Sequence, residues 1–163
     1  MSLLLAALFA LSLFSCTANS PDTGHGVKEV FVGTTPCGQL IRPLHHIAAN
    51  TDCAQVEWEL TLLRDGVSQQ PTTFRLSGNS YFILPDNNYS RPGTKSEATG
   101  KWSIHEGTGV LAGFVVYQLD AANPAKVLRF VKLNDNLLHL LDERGHFMRG
   151  DPFQSYTLNR ITQ

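Results

Sequence analysis

The chain is poor in charge and in cysteine, and it has no apolar run long enough to cross a bilayer. Charged residues make up 17%, with 13 basic against 14 acidic and a formal net charge of −1. Binding to DNA or RNA needs a concentrated positive footprint, so this balance points away from nucleic acid. No block of like charges forms a tail. There are three cysteines, none in a Cys-x-x-Cys pair, and no His-x-x-x-His. The local spacings that favour a zinc site or a dithiol redox centre are therefore missing. No Ser or Cys stands in a nucleophile elbow. Gly107-Thr108-Gly109 lacks the following helix pattern that a phosphate loop requires. No residue set asks for catalysis, and the expectation is a non-enzymatic protein without a cofactor.

What is present begins at the N-terminus. Leu3 to Phe14 contains only Leu, Ala, Phe and one Ser. A spanning helix needs roughly 20 apolar residues, so the run fits the apolar core of a secretory signal peptide ending at the small residue Ser15. No Lys or Arg precedes it. With Cys16 directly after Ser15, the stretch Leu13-Phe14-Ser15-Cys16 resembles a bacterial lipobox. That resemblance implies removal of residues 1–15 and acylation of Cys16, and Thr17 after it suggests delivery to the outer membrane. Residues 16–29 read as a tether, because Thr17 to Gly26 is small, polar and broken by Pro and Gly. Residues 30–163 are the size of one domain with its own core.

Within that domain alternation dominates. Val56-Glu57-Trp58-Glu59-Leu60-Thr61-Leu62 places four apolar side chains on one face, as a half-buried strand does. Similar stretches lie at Val30-Phe31-Val32, Thr72 to Leu76, Tyr81 to Leu84, Lys101 to Ile104, Val115 to Leu119, Val127 to Leu133, Leu137 to Leu141 and Ser155 to Ile161. Asn134-Asp135-Asn136 and Asp142-Glu143-Arg144-Gly145 are turn chemistry. Eight or nine short strands predict an all-β fold, an antiparallel sandwich or barrel. Pro85 to Thr99 reads as a polar surface loop. One region has helical spacing: Leu40, Ile41, Leu44, Ile47 and Ala48, with Thr35 as cap and Pro36 at the first position. Pro43 divides it into two short turns that plug one end of a barrel.

Cys37 and Cys53 bracket that helical segment. In an exported chain they pair most simply as a disulfide, which stabilises by about 3 kcal/mol in the chain-entropy model. Free thiols, metal ligation and redox work are the alternatives. His45 and His46 could join the thiolates around zinc or copper, but neighbours on a helix point about 100° apart. Both read as loop or cap residues, with no metal. His105, His139 and His146 fall at turns or strand faces, and Glu57 and Glu59 read as solvent-facing charges without the opposed carboxylate of a glycosidase. Asn88-Tyr89-Ser90 matches a glycosylation sequon by chance. Trp58, Trp102, Phe74, Tyr117 and Phe130 either line a cavity or fill it; small barrels favour filling.

Several segments in order resemble the N-terminal domain family of the outer-membrane lipoprotein NlpE, also called copper resistance protein NlpE. They are Phe31-Val32-Gly33-Thr34-Thr35-Pro36-Cys37, Glu59-Leu60-Thr61-Leu62, Gly100-Lys101-Trp102-Ser103-Ile104, Leu137 to Asp142 and Ser155 to Ile161. The resemblance spans about residues 30 to 161. It implies a small lipocalin-like antiparallel barrel on an outer-membrane lipoprotein facing the periplasm, and links to envelope-stress or surface sensing and to copper tolerance. The family motif has Cys-x-x-Cys after Gly-Thr-x-Pro, whereas here Gly38 follows Cys37 and the next cysteine is Cys53. The residues between read as an insertion. The expected partners are the membrane, through the lipid, and an envelope protein or a small apolar ligand. A carrier of that ligand and a copper- or thiol-redox protein are the alternative functions.

Overall fold

Alternating strands joined by short turns bury one face only if the sheet closes on itself or meets a second layer. Here it closes. The computed structural model describes residues 26–86, 88, 90, 93–121 and 127–162. Eight antiparallel strands follow one another around a closed barrel: β1 (Val27–Pro36), β2 (Cys53–Arg64), β3 (Pro71–Phe82), β4 (Thr94–Glu106), β5 (Val115–Ala121), β6 (Val127–Asn134), β7 (Leu137–Leu140) and β8 (Thr157–Ile161). The ring is completed where β8 meets β1, with Phe31 opposite Arg160. Closure leaves no unpaired strand edge. Cys16, the signal segment and most of the tether lie outside the described residues, as does Tyr89 of the sequon.

The inward positions of each strand supply one core. On β2 these are Val56, Trp58, Leu60 and Leu62; Phe74 and Leu76 of β3, Trp102 of β4, Tyr117 and Leu119 of β5, and Phe130 of β6 meet them. A single helical turn, α1 (Ile41–Leu44), sits between β1 and β2 and adds Ile41 and Leu44 to the same core, and Ile47 joins them from the loop that follows. The small antiparallel barrel with a helical insertion after the first strand is thus the fold the alternation predicts.

Several boundaries differ from the sequence reading, each for a physical reason. β1 starts at Val27, three residues before the expected start of the domain at 30: Glu29 points inward and pairs with Arg64 at 3.1 Å. Thr72–Leu76 and Tyr81–Phe82 are one strand, not two, and Ser77-Gly78-Asn79 continues it between them. A Cβ at Gly78 would fall on the His45 imidazole, so the glycine makes room for that ring. β4 starts at Thr94, inside the stretch read as loop. It shows no apolar alternation because its inward positions, Ser96, Ala98 and Gly100, are small; a Cβ at Gly100 would come within 2.8 Å of Phe74. Thr35 and Pro36 belong to β1 and do not cap a helix. Instead the Thr35 hydroxyl accepts a hydrogen bond from Trp58 Nε1 at 2.8 Å. Of the two expected helical turns one forms, and Pro43 is tolerated because it falls in the first turn, where the backbone N–H has no intrahelical acceptor.

Candidate functional site

The barrel has two ends, and each is closed by the chain's own side chains. Residues 37–52 fold over the end where β1 finishes and β2 begins. Cys37 and Cys53 are joined by a disulfide with Cα atoms 5.9 Å apart, which pins both ends of this segment to the wall. Arg42 clasps it internally: its guanidinium donates to the carbonyls of Cys37, Ala48 and Thr51 at 3.1, 2.8 and 3.1 Å. Ile41 and Leu44 then point into the barrel.

His45 follows them inward and is only 5% exposed. Its ring lies over Gly78, meets Trp58 edge-on at 5.0 Å between centroids, and hydrogen-bonds the Ser96 hydroxyl through Nδ1. His45 is the C-cap of α1, as its reading as a loop or cap residue expects; its burial was not legible, because the turn after α1 drives the ring into space that Gly78 leaves vacant. His46, at positive φ, is exposed and faces away. Thr35, His45 and Ser80 are the buried polar residues among the described ones, and all belong to this end. The Ser80 hydroxyl has no hydrogen-bond partner there.

The opposite mouth is closed by an ionic and aromatic cluster. Arg64 continues the inward series of Trp58, Leu60 and Leu62, so its side chain enters the barrel at the end of β2. It pairs with Glu29, lies over Trp102 at 4.6 Å from the ring centroid, and donates to the Tyr117 hydroxyl at 3.3 Å. Arg160 of β8 reaches the other oxygen of Glu29 at 3.4 Å. Trp102 and Tyr117 are packed against each other at 5.0 Å, and Trp102 Nε1 donates to the Leu63 carbonyl. Burial pushes the Tyr117 hydroxyl above the usual tyrosine range; Lys132 and Arg64 oppose that rise and Glu29 adds to it.

Between these closures the interior is occupied. Trp58 and Phe130 meet edge to face at 6.5 Å, and Phe74, Trp102 and Tyr117 are each about 3% exposed within one cluster. The concave surfaces lie mostly on the outer wall. One groove of about 530 Å³ runs across β1 to β4, with Glu57, Glu59, Lys95 and Glu97 on its walls and Gly33 and Gly78 in its floor. Tyr81 donates to Glu57 at 2.8 Å, and Arg75 pairs with Glu97 at 2.7 Å. A second, of about 410 Å³, places His105, Arg129, Arg144 and His146 around an apolar floor of Leu111 and Val116. Beside it Asp142 accepts from the backbone N–H groups of His146 and Arg144, which hold its carboxyl below the usual aspartate range.

The structure separates most of the residues singled out from sequence. Glu57 and Glu59 share an outer face. His105 hydrogen-bonds Ser103, and His146 approaches Asp142 at 3.4 Å. His139 spans Thr157 and the Met148 carbonyl, both at 2.9 Å; a carbonyl only accepts, so Nε2 carries a proton. Among the described residues no three His, Cys, Asp or Glu side chains converge as a metal site would require. What the sequence reading missed is the Arg64 cluster, although the strand's period already put position 64 on the inner face. Comparison with protein-family models, curated proteins and solved structures finds no match for this chain.

Proposed function

We propose that the chain is a cell-envelope lipoprotein, held in the outer membrane by an acylated Cys16 and facing the periplasm. Its barrel is a non-enzymatic binding module, similar to the NlpE N-terminal domain and serving envelope-stress or surface sensing. The apolar run ending in Ser15-Cys16 supports the anchor. The observation that carries the binding mode is the filled interior. With Trp58, Phe130, Trp102 and Tyr117 buried and both mouths occupied by Arg64 and the α1 segment, recognition falls to the outer wall. That favours a macromolecular partner over a carried apolar ligand. The disulfide argues against copper or thiol chemistry in the oxidised protein, since a metal needs deprotonated sulfur.

The test is genetic and biochemical together. Deleting the gene should shift an envelope-stress reporter. The acylated chain should restore it, and a Cys16→Ala chain, released into the periplasm, should not. Intact mass of the membrane-extracted protein should correspond to a chain beginning at Cys16 plus acyl groups. A reporter indifferent to the chain, or restored equally by Cys16→Ala, would contradict the reading.

A further inference from the structure

Only one end of the barrel receives the tether. β1 begins with Val27 opposite Arg64, so the chain enters the barrel wall through Gly26 at the mouth that Arg64 closes. The β2–β3, β4–β5 and β6–β7 loops stand at this same end, because antiparallel neighbours alternate direction around the ring. These loops and the adjoining strand ends expose aliphatic side chains. Val67 in the β2–β3 loop is 86% exposed, and Val110 in the β4–β5 loop is 75% exposed. Ile104, Val115, Leu133 and Ile161, on the surrounding strand ends, are 42%, 39%, 38% and 37% exposed. Exposed apolar side chains also occur toward the other end, Ile83, Leu84 and Phe153 among them, so the direction from which the chain enters β1 is what singles this end out.

Asp65, beside Val67, aims its carboxylate back into its own loop, accepting from Val67 N, Ser68 N and Ser68 Oγ at 3.2, 2.7 and 2.8 Å. Those donors hold its carboxyl below the usual aspartate range. At the β6–β7 turn Asp135 is neutralised by Lys132 at 2.6 Å.

We infer that this end is a membrane-docking face: with the anchor in place, the Val67 and Val110 loops insert at the lipid–water interface and hold the plugged end away from the bilayer. The inference rests on the acylated Cys16 proposed above. The ten residues Thr17 to Gly26 can span at most about 35 Å, the limit that chain length sets. So short a link keeps the loops at an effective concentration on the order of millimolar at the bilayer. Two valines bind lipid weakly on their own, and the tether makes weak contact sufficient. A lipid surface is therefore the occupant that the chain itself delivers to this end.

The experiment uses the full acylated chain in vesicles of phosphatidylethanolamine and phosphatidylglycerol, read by vesicle sedimentation and by amide hydrogen exchange. Backbone amides in 65–70 and 107–114 should exchange several-fold more slowly than in an unacylated Cys16→Ser chain mixed with the same vesicles. Amides in 37–52, which cover the opposite end, should be unchanged. Val67→Asp/Val110→Asp alters two exposed sites and should abolish the protection while the chain still sediments. Phe153→Ser removes a side chain that is 94% exposed at the opposite end, and should have no effect. If the wild-type chain sediments but its 65–70 and 107–114 loops exchange like the unanchored control, the docking face is wrong and the anchor stands. Protection of 37–52 instead would also overturn it. A chain carrying no acyl groups would remove the anchor and the inference together.

Discussion

Replacing Gly78 with Ala tests how the inserted segment locks into the barrel. The added methyl would fall on the His45 imidazole, which lies over that glycine and is held by Trp58 and Ser96. The ring must leave or the strand must move. Overpacking of this kind costs about 1–3 kcal/mol. Alanine is the better strand residue by about 0.5–1 kcal/mol, which offsets part of it. His45→Ala alone should cost about 2 kcal/mol, from the edge contact with Trp58, about 1 kcal/mol, and the hydrogen bond to Ser96, about 1 kcal/mol. The double variant is the informative one, because the new methyl occupies space the ring has vacated. It should be no less stable than His45→Ala, giving a favourable coupling of about 1–3 kcal/mol. Urea unfolding of the four oxidised proteins measures this, provided the transitions are two-state and share one m-value. Additive effects, or a Gly78→Ala variant as stable as the parent, would refute the lock between ring and glycine.

Three further outcomes follow from the same structure. Replacing Cys37 and Cys53 together with Ser should lower stability by about 3 kcal/mol, while far-ultraviolet dichroism keeps its β signature because the eight strands share the core without the bridge; loss of the sheet signal would contradict this. Arg64→Ala leaves the half-buried Glu29 with a weaker partner set and should cost about 2 kcal/mol, and Arg64→Lys should not restore it, since a point charge cannot both stack on Trp102 and fork to Glu29 and Tyr117. Burial raises Tyr117 and Tyr156 above the ordinary value of 10.0; the fold therefore favours the protonated form, and its contribution is complete below pH 10 and falls as pH rises beyond it. Melting temperatures measured across alkaline pH should drop there, less steeply in Tyr117→Phe/Tyr156→Phe, and an identical slope in that variant would show the drop has another source.

The strand pattern was legible wherever apolar and polar residues alternate, as in Val56 to Leu62, because a closed barrel buries one face of every strand. It failed where the interior is filled from elsewhere. Around Gly78 and along Ser96-Ala98-Gly100 the inward residues are small or polar, since His45 and Phe74 take the room. Periodicity therefore saw a gap and a loop where strand continues. The disulfide could be anticipated because Cys37 and Cys53 were the natural pair within the domain, and they bracket the inserted segment. The inward turn of His45 could not, because a residue after a proline-bearing turn has no period to follow. Arg64 lay between these cases: its parity was correct, but a charged side chain on an inner face becomes readable only when Glu29, Tyr117 and Trp102 are seen around it.

The central claim is that this barrel is filled by its own side chains and leaves recognition to its outer wall. Both tryptophans of the chain, Trp58 and Trp102, stand inside at 3% exposure, so intrinsic fluorescence reports directly on entry. Titrating the oxidised protein with a brominated fatty acid, whose bromine quenches tryptophan on contact, should leave the emission unchanged apart from weak collisional loss. Saturable quenching at one molecule per barrel would contradict the account and establish an internal ligand site.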